Sequence, residues 1–252
     1  MKILITGYKG FIGQNFVNKL KDKHEISLFE WLDSPPDFEG LDWVIHLGAI
    51  SSTTETNVEK VMMQNFDFTT WLLKKCVKHK VNLQYASSAS VYGLGINFNE
   101  SAPKDPRTPY AWSKYLFDRL EPQWIDEDIR IQGFRYFNVH GPHEEHKGNQ
   151  ASPYYQFMKQ AEAGQIKVFE GSKDFKRDFI HVDDVFDIQM KFLDIKENGI
   201  WNVGSGKPKS FYEVAQLYNV SIVEIPMPEN LKNSYQSYTC ADLTKLNRSL
   251  GL

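Results

Sequence analysis

The chain has 252 residues, of which 41% are hydrophobic and 14% aromatic, and its formal net charge at pH 7 is -3. This length suits one large domain with a smaller attachment, and the slight acidity argues against nucleic acid as a partner. Two isolated cysteines, a start unlike a signal peptide and the lack of a long apolar run predict a cytoplasmic protein without a membrane span.

The N-terminal stretch combines a strand, a glycine-rich turn and a helix. Residues 2–6 are an apolar run that leads into Gly7, Gly10 and Gly13 and then into an amphipathic helix pattern. Glycines here let the backbone approach a pyrophosphate closely, and the helix N-terminus favours its negative charge. This order of elements predicts a dinucleotide-binding domain.

Two residues near this turn give conflicting signals about the cofactor. Glu30 ends the second predicted strand (25–29), where an acid accepts hydrogen bonds from the adenine ribose hydroxyls and favours NAD. Lys9, inside the turn, could instead face the 2′-phosphate of NADP. The residues themselves leave the cofactor open between NAD and NADP.

The next connection is unusually short. Only residues 31–40, including Pro35 and Pro36, separate the second strand from a third at 41–47, and the prolines disfavour a helix there. We expect the chain to lack the peripheral helix and strand that a doubly wound domain usually carries at this point.

A long helix is predicted to follow the third strand, with its cap among residues 51–55, which are rich in Ser, Thr and Glu. Its apolar positions run from Val61 to Val77. Asn65 lies among them, either as a satisfied polar residue or as a link beneath the catalytic strand.

The candidate catalytic residues lie in the middle of the chain. A strand at 81–86 leads to Ser88, and a later helix carries Tyr110 and Lys114 one turn apart on the same face. A nearby ammonium favours the phenolate, so this pair can exchange a proton with an alcohol while Ser88 holds the same oxygen.

Strands and helices alternate as far as residue 137, which predicts an α/β fold with a Rossmann-like, doubly wound parallel sheet. We assign residues 1–142 to the dinucleotide-binding domain, which also receives a strand and a helix from about 180–204. Residues 143–252 mainly form a small C-terminal substrate-binding subdomain. In that part Arg177 could clamp a phosphate, and no metal-ligand pattern is visible.

These motifs occur together in the order found in the extended short-chain dehydrogenase/reductases, the NAD-dependent epimerase/dehydratase superfamily. Within it the sequence resembles the ADP-L-glycero-D-manno-heptose 6-epimerase family over most of its length. The resembling segments are residues 51–55, 85–88, 113–118, 133–139, 146–148, 169–172, 175–179 and 241–244.

The resemblance implies an isomerase of lipopolysaccharide core biosynthesis that acts on a nucleotide sugar, ADP-heptose. Tightly bound NADP oxidises C6 in that family, and hydrogen then returns to the opposite face. Tyr110 and Lys147 would serve the two faces, with Ser88 and Lys114 beside Tyr110.

The same resemblance implies two sets of binding residues. Those near the cofactor, together with the turn glycines and the catalytic Tyr110, Lys114 and Lys147, would be Phe11, Ile12, Glu30, Trp31, Leu47, Gly48, Ala49, Ile50, Ser51, Asn65 and Val139. Those near the substrate, together with Ser88, would be Asn138, Asn149, Gln156, Phe169, Glu170, Gly171, Ser172, Arg177 and Tyr235.

The chain departs from the family at several of these positions. Glu30 and Trp31 replace the usual Asp-Asn pair, and Asn149 and Gln156 stand where the family has Ser and His. Another nucleotide-sugar epimerase or ketoreductase therefore remains an alternative, as does a dinucleotide-binding relative without catalysis. A homo-oligomer is possible.

Overall fold

Six parallel strands form the central sheet, in the order β2-β1-β3-β4-β5-β10. The computed structural model describes residues 1–120, 123, 128–229 and 236–252. The bounds of these strands are β1 Lys2–Thr6, β2 Glu25–Phe29, β3 Trp43–His46, β4 Asn82–Ser88, β5 Ile131–Tyr136 and β10 Gly199–Val203. Their carboxyl ends lie at one edge of the sheet, where α/β proteins bind ligands.

Helices cover both faces of this sheet. Phe16 and Phe186 belong to the apolar cluster on one face, and Leu72 and Phe117 belong to the cluster on the other. The helices are α1 Phe11–Leu20, α2 Val58–Val61, α3 Phe68–His79, α4 Pro109–Asp118, α5 Pro153–Glu162, α6 Val182–Phe192, α7 Phe211–Gln216 and α8 Thr244–Leu250.

The shortened connection after β2 has the predicted form. The described residues between Phe29 and Trp43 include no helix and no strand. Phe38 anchors this segment, since its ring is buried 6.0 Å from the Trp71 ring of α3. As no further strand follows, β2 stays at the edge of the sheet.

The predicted cap of the long helix is wrong. A π-helical turn, Met62–Asp67, joins α2 to α3, and the side chain of Asn57 caps α2 by accepting the Lys60 N–H at 2.9 Å. Ser52 and Thr54 instead hydrogen-bond to each other through their hydroxyl groups. Several polar residues can cap a helix, and the sequence does not show which one the chain uses.

The C-terminal half has its own small apolar cluster. There α5 and α7 pack beside two parallel strands, β7 Gln165–Phe169 and β12 Ser221–Ile225. The other short strands are β6 Asn138–His140, β8 Lys176–Arg177, β9 Phe179–His181 and β11 Lys209–Ser210. Strands β6, β8, β9, β11 and β12 and helix α8 were not predicted from the sequence.

Candidate functional site

Ser88, Tyr110 and Lys114 meet at the carboxyl end of the sheet. Ser88 is the last residue of β4, and the Thr108 hydroxyl caps α4 by accepting the Ala111 N–H at 3.1 Å, which places Tyr110 in the first turn. Tyr110 is half-buried, and its phenol hydrogen-bonds with the Ser88 side chain. One turn later, the Lys114 ammonium donates to the Ala86 carbonyl at 2.7 Å.

Burial dominates the acid–base properties of this group. It raises the pKa of Tyr110, and the hydrogen bond with Ser88 opposes that rise. Burial likewise lowers the pKa of Lys114 to about 8, against the attraction of Asp118. The expectation that the lysine lowers the tyrosine pKa is therefore outweighed in the folded chain, where Tyr110 is a phenol at neutral pH.

Asp118 connects α4, the helix that carries Tyr110 and Lys114, to the two neighbouring strands β4 and β5. Its buried carboxylate accepts hydrogen bonds from the Tyr85 hydroxyl at 2.8 Å and the Ser87 hydroxyl at 2.9 Å. It also forms an ion pair with Arg135 of β5, 2.8 Å from Nε. These bonds fix α4 against β4 directly before Ser88.

Asn65 is a polar link, although its partner is helix α4 rather than the strand that leads to Ser88. Its amide donates to the Ser113 hydroxyl at 3.0 Å and to the Ile50 carbonyl at 3.0 Å, while its oxygen accepts the Ile50 N–H at 2.8 Å. The loop after β3 and helix α4 are thereby held together.

We predict that Lys114→Met stabilises the protein at pH 7. The shift of the Lys114 pKa to about 8 corresponds to about 3 kcal/mol against the charged form, and the lost bond to Ala86 offsets part of it. We expect a gain of about 1 to 2 kcal/mol in the free energy of unfolding by urea.

The pH dependence of this gain follows from proton binding. Between pH 8 and about 10.5 the unfolded wild type binds more protons at Lys114 than the folded one, so wild-type stability rises with pH and the gap to the variant closes. A variant that is less stable than wild type at pH 7 would contradict this account of Lys114.

The glycine turn leaves space only for backbone. Gly7 has a φ of +73°, and a Cβ there would lie 2.3 Å from the Cα of Gly48. A Cβ on Gly13 would lie 2.1 Å from the Gly7 carbonyl oxygen. The turn therefore packs tightly against the loop after β3 and presents the N-terminus of α1, as a pyrophosphate site requires.

A cavity of about 120 Å³ adjoins this turn at the end of β2. Glu30 lies at its wall, and one carboxylate oxygen accepts the Lys9 N–H at 2.7 Å. Trp31 and Phe68 also line it, with their rings edge-to-face. Gln64 and Phe68 line the cavity without having been predicted, since residues on a helix after β3 show no local binding motif.

Lys147 lies in a 3-10 turn, Glu145–Gln150. Its ammonium is 5.1 Å from the centroid of the Phe11 ring, at the start of α1. Burial lowers the pKa of Lys147, against the attraction of Glu144.

Glu144 fixes the segment that carries Lys147. Its buried carboxylate accepts the Ser152 N–H at 2.6 Å, the Ser152 hydroxyl at 2.7 Å and the Gly141 N–H at 3.1 Å. This role of Glu144 was not predicted, because a glutamate in a polar loop is normally expected to be exposed.

Three of the predicted substrate residues line a second cavity of about 350 Å³ between α5 and β7. Gln156, Phe169 and Ser172 line it together with Phe175 and Phe211, which were not predicted. The Ser172 hydroxyl is buried and has no hydrogen-bond partner within the described residues. Aromatic walls and a free hydroxyl suit a planar polar ligand such as a nucleotide base.

The remaining predicted substrate residues take several positions. Arg177 is buried, with its guanidinium 5.5 Å from the Phe211 ring centroid. Asn138 donates to the Asp178 carbonyl at 3.2 Å. Asn149, Glu170 and Gly171 are exposed, and Tyr235 lies outside the described residues.

The remaining cofactor candidates lie on the elements around the turn. Ile12, Leu47 and Val139 are half-buried against the core, and Ala49 and Ile50 line the cavity beside Glu30. Ser51 is exposed.

Within the described ranges, no group of three or more His, Cys, Asp or Glu side chains could hold a metal ion. Over the same ranges, none of the helices has the length and hydropathy that a membrane crossing requires.

The comparison with protein families gives the class of this protein. The model for the NAD dependent epimerase/dehydratase family matches residues 29–204, more than half of the chain. The chain belongs to this family.

Similarities to individual proteins narrow the comparison within this family. The ADP-L-glycero-D-manno-heptose-6-epimerase of Brachyspira hyodysenteriae is 38% identical, over 97% of this chain and 90% of the relative. The crystal structure of the Helicobacter pylori ADP-L-glycero-D-manno-heptose-6-epimerase is 27% identical, with a TM-score of 0.87 over 99% of this chain and 90% of that one. RMD from Pseudomonas aeruginosa, solved with NADPH, is 26% identical, with a TM-score of 0.78 over 99% and 92% of the two chains.

These findings confirm the predicted Rossmann-like α/β fold, the resemblance to heptose epimerases and the prediction of an enzyme. The family description makes the cofactor a nicotinamide dinucleotide. The alignment with the Brachyspira protein runs over 287 positions, more than the 252 residues of this chain, so the relative has segments that this chain lacks. This agrees with the shortened connection after β2.

Proposed function

We propose that this protein interconverts the two C6 epimers of ADP-glycero-manno-heptose. One observation carries the proposal: a partly buried lysine, Lys147, lies against Phe11 at the glycine turn, in addition to the Ser88–Tyr110–Lys114 group. Inversion at a carbon through transient oxidation presents the sugar oxygen to the protein in two orientations, and a second proton-transfer group can serve the second orientation. A ketoreductase needs only one.

The cofactor supplies hydride transfer at C6 when it is bound, and the glycine turn and Glu30 are the residues that would hold it. Tyr110 exchanges the C6 hydroxyl proton on one face, while Ser88 holds the oxygen. Lys147 exchanges the proton on the other face. The lowered pKa of Lys147 brings it closer to neutral pH, where an acid–base group works best.

The cavity between α5 and β7 is the proposed nucleotide site. Phe169, Phe175 and Phe211 offer apolar walls, and the unpartnered Ser172 hydroxyl can bind a polar edge. Arg177, packed on Phe211, supplies positive charge for the diphosphate. The 38% identical relative supports ADP-heptose as the substrate.

The test is to incubate purified protein with ADP-D-glycero-D-manno-heptose and to resolve the two C6 epimers by chromatography. We expect both epimers at equilibrium. If a protein with bound dinucleotide produces no second epimer, ADP-heptose is not its substrate. Turnover of another nucleotide sugar under the same conditions would favour the alternative epimerase.

We further propose that the bound dinucleotide is NAD. The Glu30 carboxylate is held beside the ribose end of the site by the Lys9 N–H, and Asp33 lies close by, accepting the Glu30 N–H at 2.7 Å. A 2′-phosphate would meet two carboxylates. Mass spectrometry of the cofactor released by denaturant should give the mass of NAD, and a mass that includes the additional phosphate would contradict this assignment.

A further inference from the structure

Strand β2 has a free hydrogen-bonding edge. Glu25, Ser27 and Phe29 direct their backbone groups toward β1, as the bonds from Glu25 N–H to Met1 and from Gly7 N–H to Phe29 show. In a parallel pair, the alternate residues Ile26 and Leu28 then point their N–H and C=O groups outward. Those outward groups have no hydrogen-bond partner in the part of the chain that the structure describes.

At the opposite edge of the sheet, side chains form hydrogen bonds with the outward backbone groups of β10. At β10, the outward N–H of Asn202 donates to the Glu100 carboxylate at 2.8 Å, and the outward carbonyl of Ile200 accepts from the Lys245 ammonium at 2.9 Å. Side chains thus protect that edge, as natural proteins usually do. Among the described residues, no side chain protects the β2 edge in this way, and Leu28 on that edge is 42% exposed.

We propose that two copies of this chain associate through β2, in antiparallel register about Ser27, to form a continuous sheet of twelve strands. In this register Ile26 of each copy lies opposite Leu28 of the other, and the two residues exchange hydrogen bonds. The two-fold axis passes between the Ser27 residues, so each copy presents the same patch.

The charges around β2 are complementary under this two-fold rotation. Lys21, Asp22 and Lys23 precede the strand and leave one net positive charge there, and Glu25 within the strand is already paired with Lys2. Glu30 and Asp33 follow the strand. Antiparallel pairing brings the basic end of each copy beside the acidic end of the other, whereas parallel pairing would place like charges together.

The exposed apolar side chains on and after β2 also favour a second copy of this chain as the partner. Leu28 and Leu32 are 42% and 92% exposed, and both lie on this edge or directly after it. A second copy covers an apolar strand edge and satisfies its backbone groups at once.

The test is the mass of the full-length protein by light scattering after size exclusion, at low salt. We expect twice the chain mass of 29.2 kDa for the wild type and a monomer for Leu28→Pro. Proline removes only an outward N–H, which an edge strand tolerates, so the circular dichroism spectrum should be unchanged. A monomeric wild type, or a dimer that survives Leu28→Pro, would overturn the proposal.

Glu224→Pro is the matched control. Glu224 lies on β12 and, by the same alternation, points its N–H away from β7, so we expect the dimer to persist. A monomer for this variant as well would mean that association does not depend on β2.

A charge exchange tests the register without relying on proline. Lys21→Asp and Asp33→Lys should each weaken the dimer, and the double variant should restore it. Failure of the double variant to restore association would contradict the antiparallel register.

Discussion

Replacing Tyr110 with phenylalanine is expected to slow epimerisation by about two orders of magnitude or more, as the loss of an acid–base group does. The half-buried phenol is hydrogen-bonded with Ser88 at the end of β4, where it can reach a substrate oxygen. Phenylalanine keeps the ring and its packing, so the variant should fold normally. The measurement is the initial rate of formation of the second C6 epimer.

Tyr115→Phe is the control for this prediction. Tyr115 lies on the same helix and packs against the apolar cluster that contains Val91 and Tyr92. Its variant should keep the wild-type rate. A Tyr110→Phe protein that retains more than about a tenth of the rate would show that the phenol is not the acid–base group.

Replacing Lys147 with methionine is expected to have an effect of similar size, about a hundredfold or more. Methionine preserves most of the volume over Phe11 but removes the ammonium 5.1 Å from that ring. Proton transfer on the second face of the sugar carbon then has no group to perform it. The same chromatographic assay measures the loss.

Lys159→Met serves as the comparison, since Lys159 is an exposed lysine paired with Glu162 on α5. It should leave the rate unchanged. Full activity in Lys147→Met would mean that one acid–base group serves both faces, and the two-group account would be wrong.

The sequence predicted the parts of the fold that have a strong local pattern. Residues 2–6 are mostly a continuous apolar run, and residues 131–136 contain Ile131, Phe134 and Tyr136, residue types that are common in strands. The prolines at 35 and 36 correctly indicated a crossover without a helix. Short elements were not predicted because they contain too few residues to show a pattern. Strand β6 has three residues, and helix α8 buries only Leu246.

For the candidate site, spacing predicted which residues share an element, but not what burial does to them. The i, i+4 relation of Tyr110 and Lys114 is visible in the sequence, whereas the rise of the tyrosine pKa depends on the surrounding packing. Glu144 and Asp118 acquire their roles through partners distant in the chain, such as Ser152 and Arg135. No local motif encodes such contacts.

The fate of the hydrogen on C6 tests the central claim most directly. Epimerisation by transient oxidation returns the same hydrogen to C6, on the opposite face. We predict that ADP-D-glycero-D-manno-heptose incubated with the protein in D₂O yields the C6 epimer without deuterium at that carbon. Deuterium at C6 of the product, or no epimer from a protein that carries its dinucleotide, would contradict the account.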